Sequence, residues 1–153
     1  MNIRKANLND LVAICDLNNQ LFKLEKENYD PTLVEDWPLS DEGREYFTDL
    51  INNHYVIVAL QDENIVGYLA GSIEEKGSYE LIQYGEINNM LVSDSCRSKG
   101  IGKLLIDNFK MYCKEHNIHN IKVVASYKNE NAINFYHKNG FEDFNLTLTM
   151  TID

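Results

Sequence analysis

The sequence predicts an α/β protein built on one mixed sheet with helices packed against it. Three observations carry this. Hydrophobic residues alternate between strand and helix periods in the order β-α-α-β-β-β-α-β-α-β. The strand "YGEINNMLV", a helical stripe and the apolar strand "NIKVVASY" make one β-α-β crossover, the unit that places two strands in parallel. The chain has 153 residues, 44% hydrophobic and 25% charged, which suits one core and one domain, residues 1–153.

In order, "MNIRKA" alternates weakly as a first strand. Asn7 fits a helix cap with Asp10 three residues on, and Leu8, Leu11, Val12, Ile14, Cys15, Leu17, Leu21 and Phe22 trace the apolar stripe of a first helix. From Glu25 to Ser40 the period is lost. Both prolines, Pro31 and Pro38, fall here with five acids beside Tyr29 and Trp37, which predicts a loop or lid. Ser40 should cap a short second helix, "SDEGREYFTDLINN". "HYVIVAL" and "IVGYLAGSIE" make a hairpin across a four-residue turn, "QDEN". A third helix runs from about Gly100 to His116, with Ile101, Leu104, Leu105, Phe109, Tyr112 and Cys113 on its apolar side. "NENAINFYHKNG" is a fourth helix closed by Gly140, and "LTLTMTI" alternates strictly as a last strand.

The totals exclude several functions. A net charge of −10 argues against nucleic-acid binding, which draws its affinity from cationic side chains. No apolar run reaches the roughly 18 residues of a membrane span, and "MNIRKANLND" lacks the apolar centre of a signal peptide, so the expectation is a cytoplasmic protein with no membrane partner. Cys15, Cys96 and Cys113 are odd in number and form no CxxC pair, so they read as reduced thiols, and His116 and His119 read as surface groups. No metal site is expected. Eight of the 14 basic residues lie between Arg97 and Lys138, beside only three of the 24 acids. That segment fits an anionic ligand.

Two of the 8 glycines, Gly100 and Gly102, stand at the start of the third helix, where they weaken it. Behind a strand and ahead of a helix, "RSKGIG" can present successive backbone N–H groups to a phosphate. The P-loop pattern fails, because Arg97 stands where its first glycine belongs and Leu104 follows Lys103. The dinucleotide fingerprint fails at Leu105, where its third glycine belongs.

The pattern Arg-x-x-Gly-x-Gly after "MLV", followed by Asn129, Ala132, Phe135, Tyr136, Gly140 and Phe141 in the order Asn-x-x-Ala-x-x-Phe-Tyr-x-x-x-Gly-Phe, resembles the GNAT superfamily of acetyl-CoA-dependent N-acetyltransferases. The resemblance spans nearly the whole chain in the order of elements. It implies a mostly antiparallel sheet of about six to seven strands flanked by about four helices, splayed between the fourth and fifth strands. It also implies acetyl-CoA as cosubstrate. Arg97, Ser98, Lys99, Gly100, Ile101, Gly102 and Lys103 would hold the pyrophosphate. Met90, Leu91 and Val92 would pair with pantetheine and supply an oxyanion-stabilising N–H, while Asn129, Ala132 and Phe135 complete the cofactor side.

Direct attack of an amine on a thioester needs a proton acceptor, and the leaving thiolate benefits from a donor. Tyr136 occupies the family position of the general acid. Glu86, 11 residues before Arg97, has the spacing of the general base in the histone-type branch, and in a regular strand it shares a face with Asn88. The acceptor side is expected to use Tyr29, Trp37, Glu86 and Asn88, with the acidic loop favouring a cationic amine on a small molecule or a peptide. The sequence leaves room for a homodimer. A different class, a non-catalytic acyl-CoA-binding sensor, would keep the glycine loop without needing Glu86 or Tyr136.

Overall fold

β1 (Asn2–Lys5) leads through a 3-10 turn, Leu8–Asp10, into α1 (Leu11–Asn28). Asn7 caps that junction as predicted: its Oδ1 accepts from Asn9 N–H at 2.9 Å, and its own N–H donates to Asp10 Oδ2 at 2.9 Å. Arg4 clamps the same buried carboxylate with two hydrogen bonds of 2.8 and 2.9 Å, which hold Asp10 below the usual carboxylate range. The computed structural model describes residues 1–153. α2 (Asp41–Asn53) begins at Ser40, whose Oγ accepts from Gly43 N–H at 3.1 Å.

β2 (Tyr55–Gln61) and β3 (Asn64–Ile73) form the expected hairpin, but its turn is two residues long. Asp62 and Glu63 both take left-handed φ values, 50° and 64°, the combination whose twist matches the flanking strands, so Gln61 and Asn64 join the ladder. β4 (Tyr84–Val92), α3 (Ile101–Glu115), β5 (Asn120–Val123) and α4 (Glu130–Lys138) complete the chain. Gly140 adopts φ 94° just past α4, and Phe141 N–H returns to Tyr136 O at 3.1 Å, the cap its sequence predicted.

The sheet runs β1-β2-β3-β4-β5, antiparallel except for the parallel β4/β5 pair. It has five strands rather than six or seven. "LTLTMTI" has the alternation of a strand but pairs with nothing, and Leu146, Leu148, Met150 and Ile152 stand 64–84% exposed. Alternation supplies an apolar face, whereas strand structure also needs a neighbour's backbone, and the chain offers none there. β5 likewise stops at Val123, short of the predicted "NIKVVASY".

The two faces of the sheet build separate cores. α1 and α2 cover Val58, Tyr68 and Leu91 with Ile14, Phe47 and Leu50. α3 covers Ile57, Leu69 and Ile87 with Leu105, Ile106 and Phe109, and α4 adds Phe135 and Tyr136 at its margin. Each fully buried side chain of this kind stabilises the fold by about 1.5–3 kcal/mol relative to exposure.

Candidate active site

β5 pairs with β4 only from Tyr84↔Asn120 to Ile87↔Val123, whereas the other edge of β4 stays paired with β3 as far as Val92↔Gly67. The edge of β4 from Asn88 to Val92 therefore lies open where the fourth and fifth strands were expected to splay. Met90, Leu91 and Val92 lie on that open stretch.

A β-bulge marks the same place. Gly71 pairs with Ile87 and Ala70 with Asn89, which leaves Asn88 as an extra residue. Ile87 accordingly sits in the α3 core and Leu91 in the α1/α2 core, although residues four apart in a regular strand share a face. Asn88 was expected beside Glu86, but the bulge turns it out to solvent, and Asn89 takes the place. Regular alternation could not reveal this, because the extra residue is defined only by pairing with β3.

Glu86 faces Ser72 across β3 and Lys122 across β5. Its carboxyl is pushed up to about 7, first by burial and then by the neighbouring Glu74 carboxylate, with Lys122 pulling the other way. Glu74 is held below the usual range by the hydrogen bond from Glu86 and by Lys122, whose Nζ lies 2.6 Å from Glu74 Oε2. The shared proton thus stays on Glu86, and Glu74 stays ionised against the lysine. No sequence spacing links Glu74, just past β3, to Lys122 on β5.

From Ser98 to Lys103 no backbone N–H finds a hydrogen-bond partner in the protein, and α3 begins without a side-chain cap. Ser98 and Gly100 take left-handed φ values of 62° and 80°, and a Cβ on Gly100 would meet nothing within 4 Å. The row faces open space. The Arg97 side chain turns back instead: Nε donates to Val92 O at 3.0 Å and Nη2 pairs with Asp94 at 2.9 Å, pinning the loop to the end of β4. Lys103 pairs with Asp107, an exposed contact of little energetic weight. Gly102 serves a purpose its sequence context did not reveal, because its Cα lies against the Phe135 ring of α4.

Asn129 caps α4, its Oδ1 accepting from Ala132 N–H at 3.1 Å. Tyr136 stands edge-on between Phe135 and Phe141, with ring centroids 5.3 and 5.4 Å away. Burial, and after it the charge of Glu25, pushes its hydroxyl up to about 12, so it holds its proton at neutral pH.

Glu25 is itself raised, first by burial and then by Asp30. Tyr29 ends α1, half-buried, its N–H donating to Glu25 O at 2.8 Å. Trp37 belongs to a row of rings: it stacks on Phe22 at 5.8 Å, tilts against Tyr46 at 5.7 Å, and the row continues through Phe47 to Tyr68. Tyr68 is sealed in, its hydroxyl accepting from Asn18 at 2.7 Å. Tyr46 and Asn89 escaped the sequence reading. The Tyr46 hydroxyl feels both Asn89 and Glu86, yet Asn89 Oδ1 is buried without a hydrogen-bond partner. The Phe22-to-Tyr46 ring row depends on tertiary packing, and Asn89 reaches this face only through the bulge.

No group of three or more His, Cys, Asp or Glu side chains is placed to hold a metal ion. No helix is long and apolar enough to cross a membrane.

Comparison with known proteins fits this architecture. The uncharacterized N-acetyltransferase YhfO of Bacillus subtilis (strain 168) is 25% identical over 147 residues, covering 94% of this chain and 91% of YhfO. A predicted acetyltransferase from Clostridium acetobutylicum, solved with acetyl-CoA, superposes with a TM-score of 0.74 at 26% identity, covering 98% of this chain and 95% of that one. An aminoglycoside acetyltransferase from an uncultured soil metagenomic sample gives a TM-score of 0.70 at 25% identity, covering 99% and 96% of the two chains. The profile of the acetyltransferase (GNAT) family matches residues 14–141, from within α1 to just past α4, and the chain belongs to that family.

Proposed function

We propose that the protein moves an acetyl group from acetyl-CoA directly to the primary amine of a cationic small molecule or of a peptide. The observation that carries this reading is Glu86: a carboxyl poised near neutrality, on the strand whose edge opens two residues further on. A general base works best with a pKa near the working pH, and a purely structural glutamate has no need of one.

The residues fit acetyl-CoA as cosubstrate. The free N–H row from Ser98 to Lys103 suits a pyrophosphate, and the open edge from Asn88 to Val92 suits an extended amide-bearing arm. Acetyl-CoA supplies an acetyl group activated as a thioester. Glu86, once its proton has passed to water, accepts one from the attacking ammonium, and Glu74 with Lys122 holds the carboxyl in place. An N–H on the open stretch of β4 would stabilise the thioester carbonyl oxygen as negative charge develops there. Tyr136 donates its proton to the departing sulfur and regains one from the nitrogen as it becomes an amide, a role its raised pKa permits at neutral pH.

A cationic acceptor follows from the surroundings. Glu25, Asp30 and Glu86 lie on this side, and the buried Asn89 Oδ1 lacks a donor. The named activity of the soil aminoglycoside acetyltransferase, whose acceptors carry several amines, points the same way. The test is thiol release from acetyl-CoA across a panel of polyamines, aminoglycosides and lysine peptides. Turnover of any of them supports transfer, whereas acetyl-CoA binding without turnover of any amine means a sensor.

A further inference from the structure

Three features of β4 meet at Ile87. It is the last rung of the ladder with β5, it pairs with Gly71 of β3, and the bulge begins at the next residue. On the α3 face beside it, one ring fills the space of two absent side chains. A Cβ on Gly71 would lie 2.5 Å from Phe109 Cε2 and 2.7 Å from its Cζ, and one on Gly85 would lie 3.4 Å from the same Cζ. Neither glycine is there for backbone freedom, since among the glycines only Gly100 and Gly140 take positive φ. Gly85 and Ile87 are the chain neighbours of Glu86, so the ring rests on the backbone directly behind that carboxyl.

The ring has no room to retreat. Phe109 is fully buried, and Tyr55 and Tyr112 stack on it with centroids 5.8 and 6.0 Å away. Close-packed interiors transmit displacement instead of absorbing it, so where Phe109 sits decides where the strand behind Glu86 sits. Phe109 also lies on the same uninterrupted helix as the free N–H row, about 12 Å along the axis from Ile101. One rigid element thus carries the phosphate-binding turn at its start and a wedge under β3 and β4 further on.

We propose that Phe109 is a positioning residue: seated against Gly71 and Gly85, it sets the place of Glu86 and of the β4 bulge relative to the first turn of α3. The inference rests on the acetyl transfer proposed above, in which Glu86 is the base. Phe109 lies across the sheet from that carboxyl and acts through the backbone of β3 and β4, not through contact with the reactants.

Titration of the Glu86 carboxyl by carbon-13 NMR tests this beside steady-state kinetics, in Phe109→Leu, Gly71→Ala and the double variant. Phe109→Leu leaves space behind the strand and Gly71→Ala overfills it, whereas in the double variant the added methyl takes room that the smaller side chain frees. Each single substitution should move the Glu86 midpoint down from about 7 toward the ordinary 4.5, because less burial or more distance from Glu74 lowers it. Each should also lower kcat by on the order of 10-fold to 100-fold with the KM for acetyl-CoA unchanged. The double variant should recover part of both losses. Ile106→Val, a loss in the same core, should lower Tm and leave the midpoint in place. Phe109→Met, which keeps more of the volume, carries the comparison if the leucine variant does not fold. Single variants that lose Tm but keep the wild-type midpoint overturn the proposal, as does a double variant whose midpoint is no nearer to wild type than that of either single. A midpoint that moves and recovers while turnover stays at the wild-type level supports the positioning and removes Glu86 as the base.

Discussion

A Cβ placed on Gly102 would lie 2.8 Å from Phe135 Cζ, so the first turn of α3 touches α4 at a point with no room for a side chain. Two glycines separated by one residue, Gly100 and Gly102, therefore answer different demands. Gly102→Ala should push α4 away and cost about 1–3 kcal/mol by overpacking, read as a lower Tm without ligand. Gly100→Val meets no neighbour but strains a φ of 80°, and it places a branched side chain beside the free N–H row. It should remove most of the Tm rise that acetyl-CoA gives the wild type. A full ligand-induced rise in the Gly100 variant would rule out phosphate binding at this row.

Glu86→Gln should separate stability from activity. The folded pKa of Glu86, about 7, lies above its ordinary 4.5, so its protonated form favours folding. That contribution is complete below about pH 4.5 and lost as pH rises through 7. Glutamine never ionises, and its amide can still donate to Glu74. The variant should therefore be more stable than wild type at pH 8, by about 1 kcal/mol after solvent screening, with the difference closing near pH 4. Its kcat should fall and recover partly at high pH, where more free amine is present. Denaturant titrations at both pH values, beside a pH-rate profile, check the two halves.

Lys122→Met should move the acidic limb of the kcat/KM profile to higher pH, because the ammonium lowers the pKa of Glu86 and sits against Glu74. A limb left in place would mean that the titrating group is elsewhere.

Tyr136→Phe keeps the ring contacts with Phe135 and Phe141 and removes only the hydroxyl. Loss of a positioned proton donor should lower kcat by on the order of 10²-fold while acetyl-CoA affinity holds. Wild-type turnover in this variant would assign the tyrosine to packing.

Trp37 and Asn89 should divide the acceptor side. Trp37→Ala removes the centre of an aromatic row and should cost about 2 kcal/mol, a Tm drop of about 4–8 °C. Asn89→Ala removes a buried acceptor that has no partner, so it should raise the KM for the amine several-fold and leave that for acetyl-CoA unchanged. Equal changes in both constants would make Asn89 a strand residue only.

Much of this was legible in the chain because local chemistry specified it. The caps at Asn7 and Ser40 satisfy helix N–H groups within three residues, and Gly140 takes its left-handed turn in place. The parallel β4/β5 pair followed from the helix that must cross between them. What was hidden depends on partners distant in sequence. Glu74 and Lys122 meet Glu86 only through strand pairing, Asn89 replaces Asn88 only through a bulge opposite Ala70 and Gly71, and Phe135 explains Gly102 only once α4 packs on α3. The terminal alternation predicted a last strand that the fold lacks, because pattern alone does not supply an adjoining strand.

The extra residue in β4 bears on how related chains are to be aligned. A relative with a regular strand there would need a one-residue gap at Asn88 for its Glu86 and Asn89 counterparts both to fall on the α1/α2 face. An ungapped alignment would match side chains from opposite faces of the sheet on one side of that point. A deletion of Asn88 in this chain would make Ile87 and Asn89 successive partners of Gly71 and Ala70, leaving Leu91 toward α1 and α2 and Met90 and Val92 toward α3 while removing the local bend and added twist of β4.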